Sequence, residues 1–120
     1  MVVCLVEDDP TVLKLLAELL RAQGHDPHEV LIEHGDTLAG SLDRIVETGA
    51  PVVILDISMP VNGLHILEAS MADARFAAVR WLIATASFDG AARAPKSPRV
   101  RVVAKPYEIP DLLAAIEGKT

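Results

Sequence analysis

The sequence predicts a single α/β domain built on a parallel sheet, and three observations support that prediction. Short apolar runs alternate with segments of helical periodicity along the 120 residues, which is typical of βαβ units with right-handed crossovers. At least one of these runs is apolar throughout, as expected for a strand that is covered on both faces. Several runs are followed directly by a charged or hydroxyl side chain. A chain of this length can bury a substantial core.

The first predicted strand covers residues 2–6 and is followed by three acids, Glu7, Asp8 and Asp9. A helix is expected over residues 10–23, because Asp9 can cap it and a proline fits its first position. Its apolar face repeats at helical spacing and consists of Leu13, Leu16, Ala17 and Leu20.

A weaker second strand is predicted over residues 28–32, and the next helix follows Asp36 or Thr37, either of which can cap it. Residues 51–55 form the third strand, which ends at Asp56. Because this strand is apolar throughout, we expect it to be buried on both faces.

A turn containing Met-Pro leads into a third helix over about residues 64–72. The fourth strand covers residues 81–84 and ends at Thr85, and the fifth covers residues 100–104 and ends at Lys105. These last two strands again place a polar side chain directly after an apolar run.

A final helix is predicted over residues 111–117. The segment that should hold a helix between strands four and five, residues 87–99, contains Gly90, Pro95 and Pro98. Proline inside a helix removes a hydrogen bond and clashes with the preceding turn, so only a turn or two, over about residues 90–94, is expected.

The net charge of -6 argues against nonspecific binding to nucleic acid or to an anionic membrane. The single cysteine, Cys4, lies in the first apolar run and reads as a small buried hydrophobe, which excludes a disulfide framework. There is neither a signal-peptide pattern nor a long apolar stretch. A cytoplasmic location is the natural expectation.

The polar residues at the strand ends are expected to meet. Ligands of open parallel sheets bind beyond the carboxyl ends of the strands, and the residues placed there are Glu7, Asp8, Asp56, Thr85 and Lys105. Neighbouring carboxylates repel one another unless a cation lies between them. Mg²⁺ accepts such oxygen ligands, so the acids predict a metal site.

Four blocks of sequence, at residues 6–10, 55–60, 84–86 and 105–106, resemble the signature blocks of receiver domains of two-component response regulators. The resemblance spans nearly the whole chain, in order and at fitting spacing. It implies a flavodoxin-like, doubly wound, five-stranded parallel sheet of order 2-1-3-4-5, here with a shortened or irregular fourth helix.

By this resemblance Asp56 is the phosphoacceptor, whose carboxylate attacks a phosphohistidine and forms an acyl phosphate. Asp8 and Asp56 would bind Mg²⁺ directly, together with the backbone carbonyl of Ser58, and Glu7 would hold it through a water molecule. Catalysis in such a transfer consists mainly of alignment and charge neutralisation.

Two further residues receive roles from the same resemblance. Lys105 would pair with the phosphoryl oxygens, and Thr85 would donate a hydrogen bond to one of them. Pro106 fits the cis peptide bond of the family pattern.

The implied function is that of a stand-alone receiver over residues 1–120, without an output domain. Its phosphodonor would be a histidine kinase or a histidine phosphotransfer protein, and it would signal by contact with an unknown downstream protein. A place in the middle of a phosphorelay is the alternative. Whether the chain counts as an enzyme stays open, since only its own phosphorylation and dephosphorylation are expected.

Three features depart from the family pattern. Gly63 comes one residue earlier than usual, so the loop after Asp56 is shortened and the third helix can shift. The position three residues before Lys105 is commonly aromatic but is Val102 here, which argues against the usual threonine-to-aromatic switch. The shortened fourth helix belongs to the usual signalling face, so a partner is expected to contact a different face or a remodelled loop 87–99.

Three rival functions fit less well. A phosphohydrolase of the haloacid-dehalogenase kind needs a second aspartate where Ser58 stands. A nucleotide- or flavin-binding module needs a glycine-rich turn after strand one, where the acids would repel a phosphate. A pseudo-receiver that acts without phosphorylation has no use for the retained acids, Thr85 and Lys105.

Overall fold

The protein is a five-stranded parallel sheet with helices on both faces, described by a computed structural model over residues 1–85 and 92–118. The strand order is β2-β1-β3-β4-β5, and all four pairings are parallel. This order confirms the predicted doubly wound, flavodoxin-like fold.

The strands have the following bounds: β1 Val2–Glu7, β2 Asp26–Leu31, β3 Val52–Asp56, β4 Arg80–Thr85 and β5 Val100–Ala104. The helices are α1 Pro10–Ala22, α2 Leu38–Glu47, α3 Gly63–Met71 and α4 Ile109–Ile116, with a 3-10 turn at Ala74–Phe76. Among the described residues, no helix has the length and apolar character needed to cross a membrane.

The central strands separate two aliphatic layers. One layer lies under α2 and α3 and includes the buried pair Phe76 and Trp81, whose ring centroids are 5.5 Å apart. The other lies under α1 and α4 and includes Leu20 and Leu112, both fully buried. Cys4 is buried in the first layer, as predicted, and burial raises the pKa of its thiol to about 12.

Helix α1 confirms its predicted start and its apolar face. The Asp9 carboxylate accepts hydrogen bonds from the backbone amides of Thr11 (2.9 Å) and Val12 (3.4 Å), so it caps the first turn. Three of the four predicted core residues are buried and the fourth is half-buried.

Two elements start two residues earlier than the sequence indicates. β2 begins at Asp26 rather than at residue 28, because the Asp26 amide donates to the carbonyl of Met1 and joins the edge of the sheet (2.9 Å). Helix α4 begins at Ile109 rather than at residue 111. Pro110 therefore lies inside its first turn, where an amide hydrogen has no helical partner to lose.

The segment before β5 was predicted to carry at most a short helix over residues 90–94. Residues 90 and 91 lie outside the described residues, and residues 92–93 are helical. Residues 94–99 are held at both ends by contacts with the rest of the fold. Ala94 is buried in the layer under α3, and the Arg99 guanidinium donates to the carbonyl of Phe76. The Arg99 carbonyl accepts from the Trp81 amide (2.6 Å).

Candidate functional site

The strand register brings the predicted polar residues to one end of the sheet. Glu7 is the last residue of β1, and Asp56 is the last of β3, beside Ala84 of β4. Thr85 ends β4 and is buried, beside Ala104 of β5. The amide of Lys105 donates to the Thr85 carbonyl (2.8 Å), which fixes where the lysine leaves the sheet.

Three carboxylates form the centre of the site. Oxygens of Glu7, Asp8 and Asp56 all lie within 4.8 Å of one another. Glu7 is buried, Asp8 is exposed and Asp56 is half-buried, so the cluster opens to solvent on the Asp8 side. Grouped carboxylate oxygens of this kind are the ligands that hard divalent cations prefer.

Glu7 is the most deeply placed of these acids. Its Oε1 accepts hydrogen bonds from the backbone amides of Asp8 (3.1 Å) and Asp9 (3.3 Å). Burial raises the pKa of the Glu7 carboxyl to about 7, and its hydrogen bond with Asp8 and the charge of Asp56 act in the same direction. The predicted repulsion between neighbouring carboxylates therefore contributes to this raised pKa, together with burial.

Asp56 is held from two sides. Its Oδ1 accepts from the backbone amide of Ser58 (3.0 Å), and its Oδ2 lies 3.4 Å from Nζ of Lys105. Its side chain is 14% exposed and that of Lys105 is 34% exposed, so the ion pair is partly exposed to solvent at the carboxyl ends of the strands. The peptide bond between Lys105 and Pro106 is cis, as expected.

The loop after Asp56 is compact, and Gly63 allows this because it has no side chain to clash with the nearby backbone. The Ile57 carbonyl accepts from the amides of both Met59 (3.1 Å) and Gly63 (3.0 Å). A Cβ atom at position 63 would lie 2.4 Å from the Asp56 carbonyl oxygen. The sequence indicated a shortened loop, but not this close approach of α3 to the phosphoacceptor candidate.

Tyr107 is a residue that the sequence reading missed. Its half-buried ring lines a cavity of about 20 Å³ together with Glu7, Asp56 and Lys105, which is room for about one water molecule. Burial raises the pKa of its phenol. One signal was available, since a chain with 3% aromatic residues places one of them two positions after the lysine.

The remaining predicted residues have less direct positions. Ser58 is exposed, and its amide, not its carbonyl, has the contact with Asp56; its carbonyl as a metal ligand stays a prediction. Val102 is half-buried and packs against the layer under α3. The Thr85 carbonyl accepts from the backbone amide of Lys105. The hydrogen bond from Thr85 to a phosphoryl group stays a prediction.

Solved structures share this architecture. The chemotaxis protein CheY4 of Vibrio cholerae has a TM-score of 0.79 at 17% identity, with 99% of this chain and 98% of that chain covered. The receiver domain of a sensor histidine kinase from Pseudomonas aeruginosa PAO1, which holds a magnesium ion in its active-site cleft, has a TM-score of 0.77 at 19% identity, with 98% and 94% covered. The fold is thus that of the CheY-like receiver domains of response regulators.

A curated relative agrees with this class. Over 116 residues, 96% of the chain, the sequence is 31% identical to the transcriptional regulatory protein PdtaR of Mycobacterium tuberculosis, a response regulator. The chain spans about half (54%) of the length of that relative. No family model matches the chain. The chain thus has the fold of receiver domains, and over 96% of its length it resembles part of a response regulator in sequence.

Proposed function

We propose that Asp56 accepts a phosphoryl group from a phosphohistidine in a Mg²⁺-dependent reaction. The observation that carries the proposal is the surroundings of this one carboxylate. Its oxygens lie within 4.8 Å of those of Glu7 and Asp8, and Oδ2 lies 3.4 Å from the ammonium group of Lys105. An acid at the end of a central strand, flanked by further acids and a cation, suits attack on phosphorus.

The transfer of the phosphoryl group needs no further reactant, because one bond to phosphorus forms as another breaks. A carboxylate oxygen of Asp56 forms a bond to phosphorus while the bond between phosphorus and the donor's imidazole nitrogen breaks, and the electron pair stays on that nitrogen. The amide of Ser58 holds the other carboxylate oxygen of Asp56 and so orients the nucleophile. Lys105 neutralises charge on the phosphoryl oxygens, the kind of alignment and charge compensation on which this reaction depends.

The residues present fit a magnesium ion. The three clustered side chains supply only oxygen donors, and the raised pKa of the Glu7 carboxyl reflects burial and like charges that a cation would offset. Asp8, Asp56 and the carbonyl of Ser58 would hold the ion, and Glu7 would act through a water molecule. When bound, the ion supplies positive charge to the phosphoryl oxygens.

The donor would be a histidine kinase or a histidine phosphotransfer protein, and the phosphorylated form would act through contact with another protein. A sensor-kinase receiver domain among the structural neighbours supports a donor of this kind. Passing the phosphoryl group onward in a relay uses the same site and stays the alternative. A small phosphohydrolase is disfavoured, because Ser58 stands where the general acid would be needed.

The proposal is tested with acetyl phosphate as a small phosphodonor, with and without Mg²⁺, followed by intact mass measurement. We expect one added phosphoryl group in the parent with Mg²⁺, and none in Asp56→Ala. Asp26→Ala, which removes an exposed carboxylate on β2, is the matched control and should behave as the parent. An unmodified parent, or a modified Asp56→Ala, would refute the assignment.

A further inference from the structure

Tyr107 brings a hydroxyl group close to the charged side chains of the candidate site. Its ring is half-buried and packs against the layer under α1 and α4. Burial raises the pKa of the phenol, and the charges of Lys105, Glu7 and Asp56 are close enough to act on it as well. The phenol is therefore protonated near neutral pH and has a hydrogen to donate.

This hydroxyl has no protein partner in the part of the chain that the structure describes. Within residues 1–85 and 92–118, no group forms a hydrogen bond with the Tyr107 phenol. A partly buried hydroxyl without a partner has lost some of its hydration and gained nothing in return. A partner that the protein does not supply would therefore stabilise it.

The cavity that Tyr107 shares with Glu7, Asp56 and Lys105 offers such a partner. Its volume of about 20 Å³ is enough for one water molecule. The rest of its wall is apolar and comes from β1, α1, β3 and β4. The four polar side chains match the hydrogen-bonding groups of water, because the two carboxylates accept hydrogens while the ammonium group and the phenol donate them.

Lys105 is the charged residue that most needs to be held in place. Its backbone is fixed, because its amide donates to the Thr85 carbonyl (2.8 Å). Its side chain is partly exposed, and its contact with Asp56 is a long one of 3.4 Å. A lysine side chain has a flexible stem with many rotamers, so holding its ammonium group at one point costs conformational entropy.

We propose that Tyr107 is a positioning residue for Lys105, acting through a water molecule in this cavity. The water accepts hydrogen bonds from the phenol and from the ammonium group, and donates to the carboxylates of Glu7 and Asp56. The ammonium group is thereby kept beside Asp56. The consequence for catalysis rests on the proposed phosphoryl transfer, in which a cation already in place needs no rearrangement as charge develops. The link between Tyr107 and Lys105 does not rest on it.

The first test measures the mobility of Lys105 without phosphodonor or divalent cation. NMR relaxation at the Cε atoms of ¹³C-labelled lysines compares the parent with Tyr107→Phe, which keeps the ring and loses the hydroxyl. In the parent we expect Lys105 to move less than the exposed Lys14, and in the variant to move nearly as much. Equal mobility of Lys105 in the two proteins would refute the proposal.

The matched control is Thr48→Val, which removes a hydroxyl that donates to the Ile45 carbonyl (2.7 Å) before the start of β3. It should leave the mobility of Lys105 unchanged, and a gain as large as in Tyr107→Phe would count against a local role of the phenol. Diffraction from crystals of the parent should show an ordered water bonded to the phenol and to the Lys105 ammonium group. A dry cavity would refute the link through water.

The second test measures the consequence at Asp56. With acetyl phosphate and Mg²⁺, phosphorylation should be about five- to tenfold slower in Tyr107→Phe than in the parent, at an unchanged urea unfolding midpoint. Added to Lys105→Gln, the same change should slow the reaction by less than about twofold, because the cation that it positions is gone. Equal losses in both backgrounds would overturn the proposal. If the parent is not phosphorylated, the function proposed for Asp56 fails, and the mobility of Lys105 still decides the role of Tyr107.

Discussion

Single residues of the acidic triplet after β1 differ in their surroundings. Asp9 caps α1, Asp8 is exposed at the mouth of the cluster, and Glu7 is buried with two backbone amides on one oxygen. The role of Asp9 as a helix cap could be predicted, because an aspartate directly before a proline is a local signature of a helix N-terminus. The burial of Glu7 could not, since it depends on tertiary packing around the strand end and not on the local sequence.

The raised pKa of the Glu7 carboxyl makes stability depend on pH. Between pH 4.5 and about 7 the folded chain binds more protons at this group than the unfolded chain does, so the free energy of unfolding falls as pH rises. Glu7→Gln removes the ionisable group and should flatten this fall. Without divalent cations, the difference between parent and variant should change by on the order of 2 kcal/mol across that range.

Urea unfolding at a series of pH values checks this prediction. Glu18→Gln, on the exposed side of α1, is the control and should keep the parent's pH profile. A parallel decline in Glu7→Gln and the parent would show that another group is responsible.

At the scale of elements, the β3–α3 connection sets the geometry around Asp56. Asn62 caps α3 by accepting from the Leu64 amide (2.8 Å), and the helix starts at Gly63, directly against the Asp56 carbonyl. The sequence indicated the short loop but placed the helix start one residue later. A close approach between two backbones leaves no trace in hydrophobic periodicity.

Gly63→Ala should therefore destabilise the fold by at least about 2 kcal/mol, because the added Cβ would overlap backbone atoms that cannot move independently. Gly24→Ala separates this clash from conformational strain. Gly24 has φ +85° and open space around it, so its substitution should cost only about 1 kcal/mol. Equal costs for the two variants, measured by urea unfolding, would contradict the close-approach account.

Helix α4 is held at its C-terminus by a distant arginine. The Arg80 guanidinium donates to the carbonyls of Ala115 (3.2 Å) and Ile116 (2.6 Å), which are among the last carbonyls of the helix. The Ala115 carbonyl also accepts from the Gly118 amide (3.2 Å). Arg80→Met keeps most of the side chain but loses both hydrogen bonds, so we expect a cost of about 1–2 kcal/mol.

Faster amide exchange near residue 117 should accompany that loss in Arg80→Met. Arg21→Met, an exposed arginine in the last turn of α1, should change stability by less than about 0.5 kcal/mol. An unchanged stability in Arg80→Met would show that α4 is held by its apolar face alone.

At the scale of the whole molecule, the sequence predicted the class of fold, but not most contacts between residues that are far apart in the chain. Apolar runs identified β1, β3, β4 and β5, because apolar strands leave a strong local signal, whereas β2 left only a weaker one. The strand order came from the family resemblance, since periodicity does not specify which strands are neighbours. The meeting of Glu7, Asp8 and Asp56 followed from the rule that parallel strands bring their ends together. The anchoring of the β4–β5 segment by Arg99 could not be predicted, because it depends on a contact 23 residues away in the chain.

The central claim is that Asp56 is the residue that carries the phosphoryl group. Reduction with borohydride after treatment with acetyl phosphate and Mg²⁺ converts an aspartyl phosphate to homoserine, and peptide mass mapping then locates it. We predict homoserine at position 56 alone, and none when Mg²⁺ is omitted. Homoserine at position 8 or elsewhere, or none in the presence of Mg²⁺, would contradict the account.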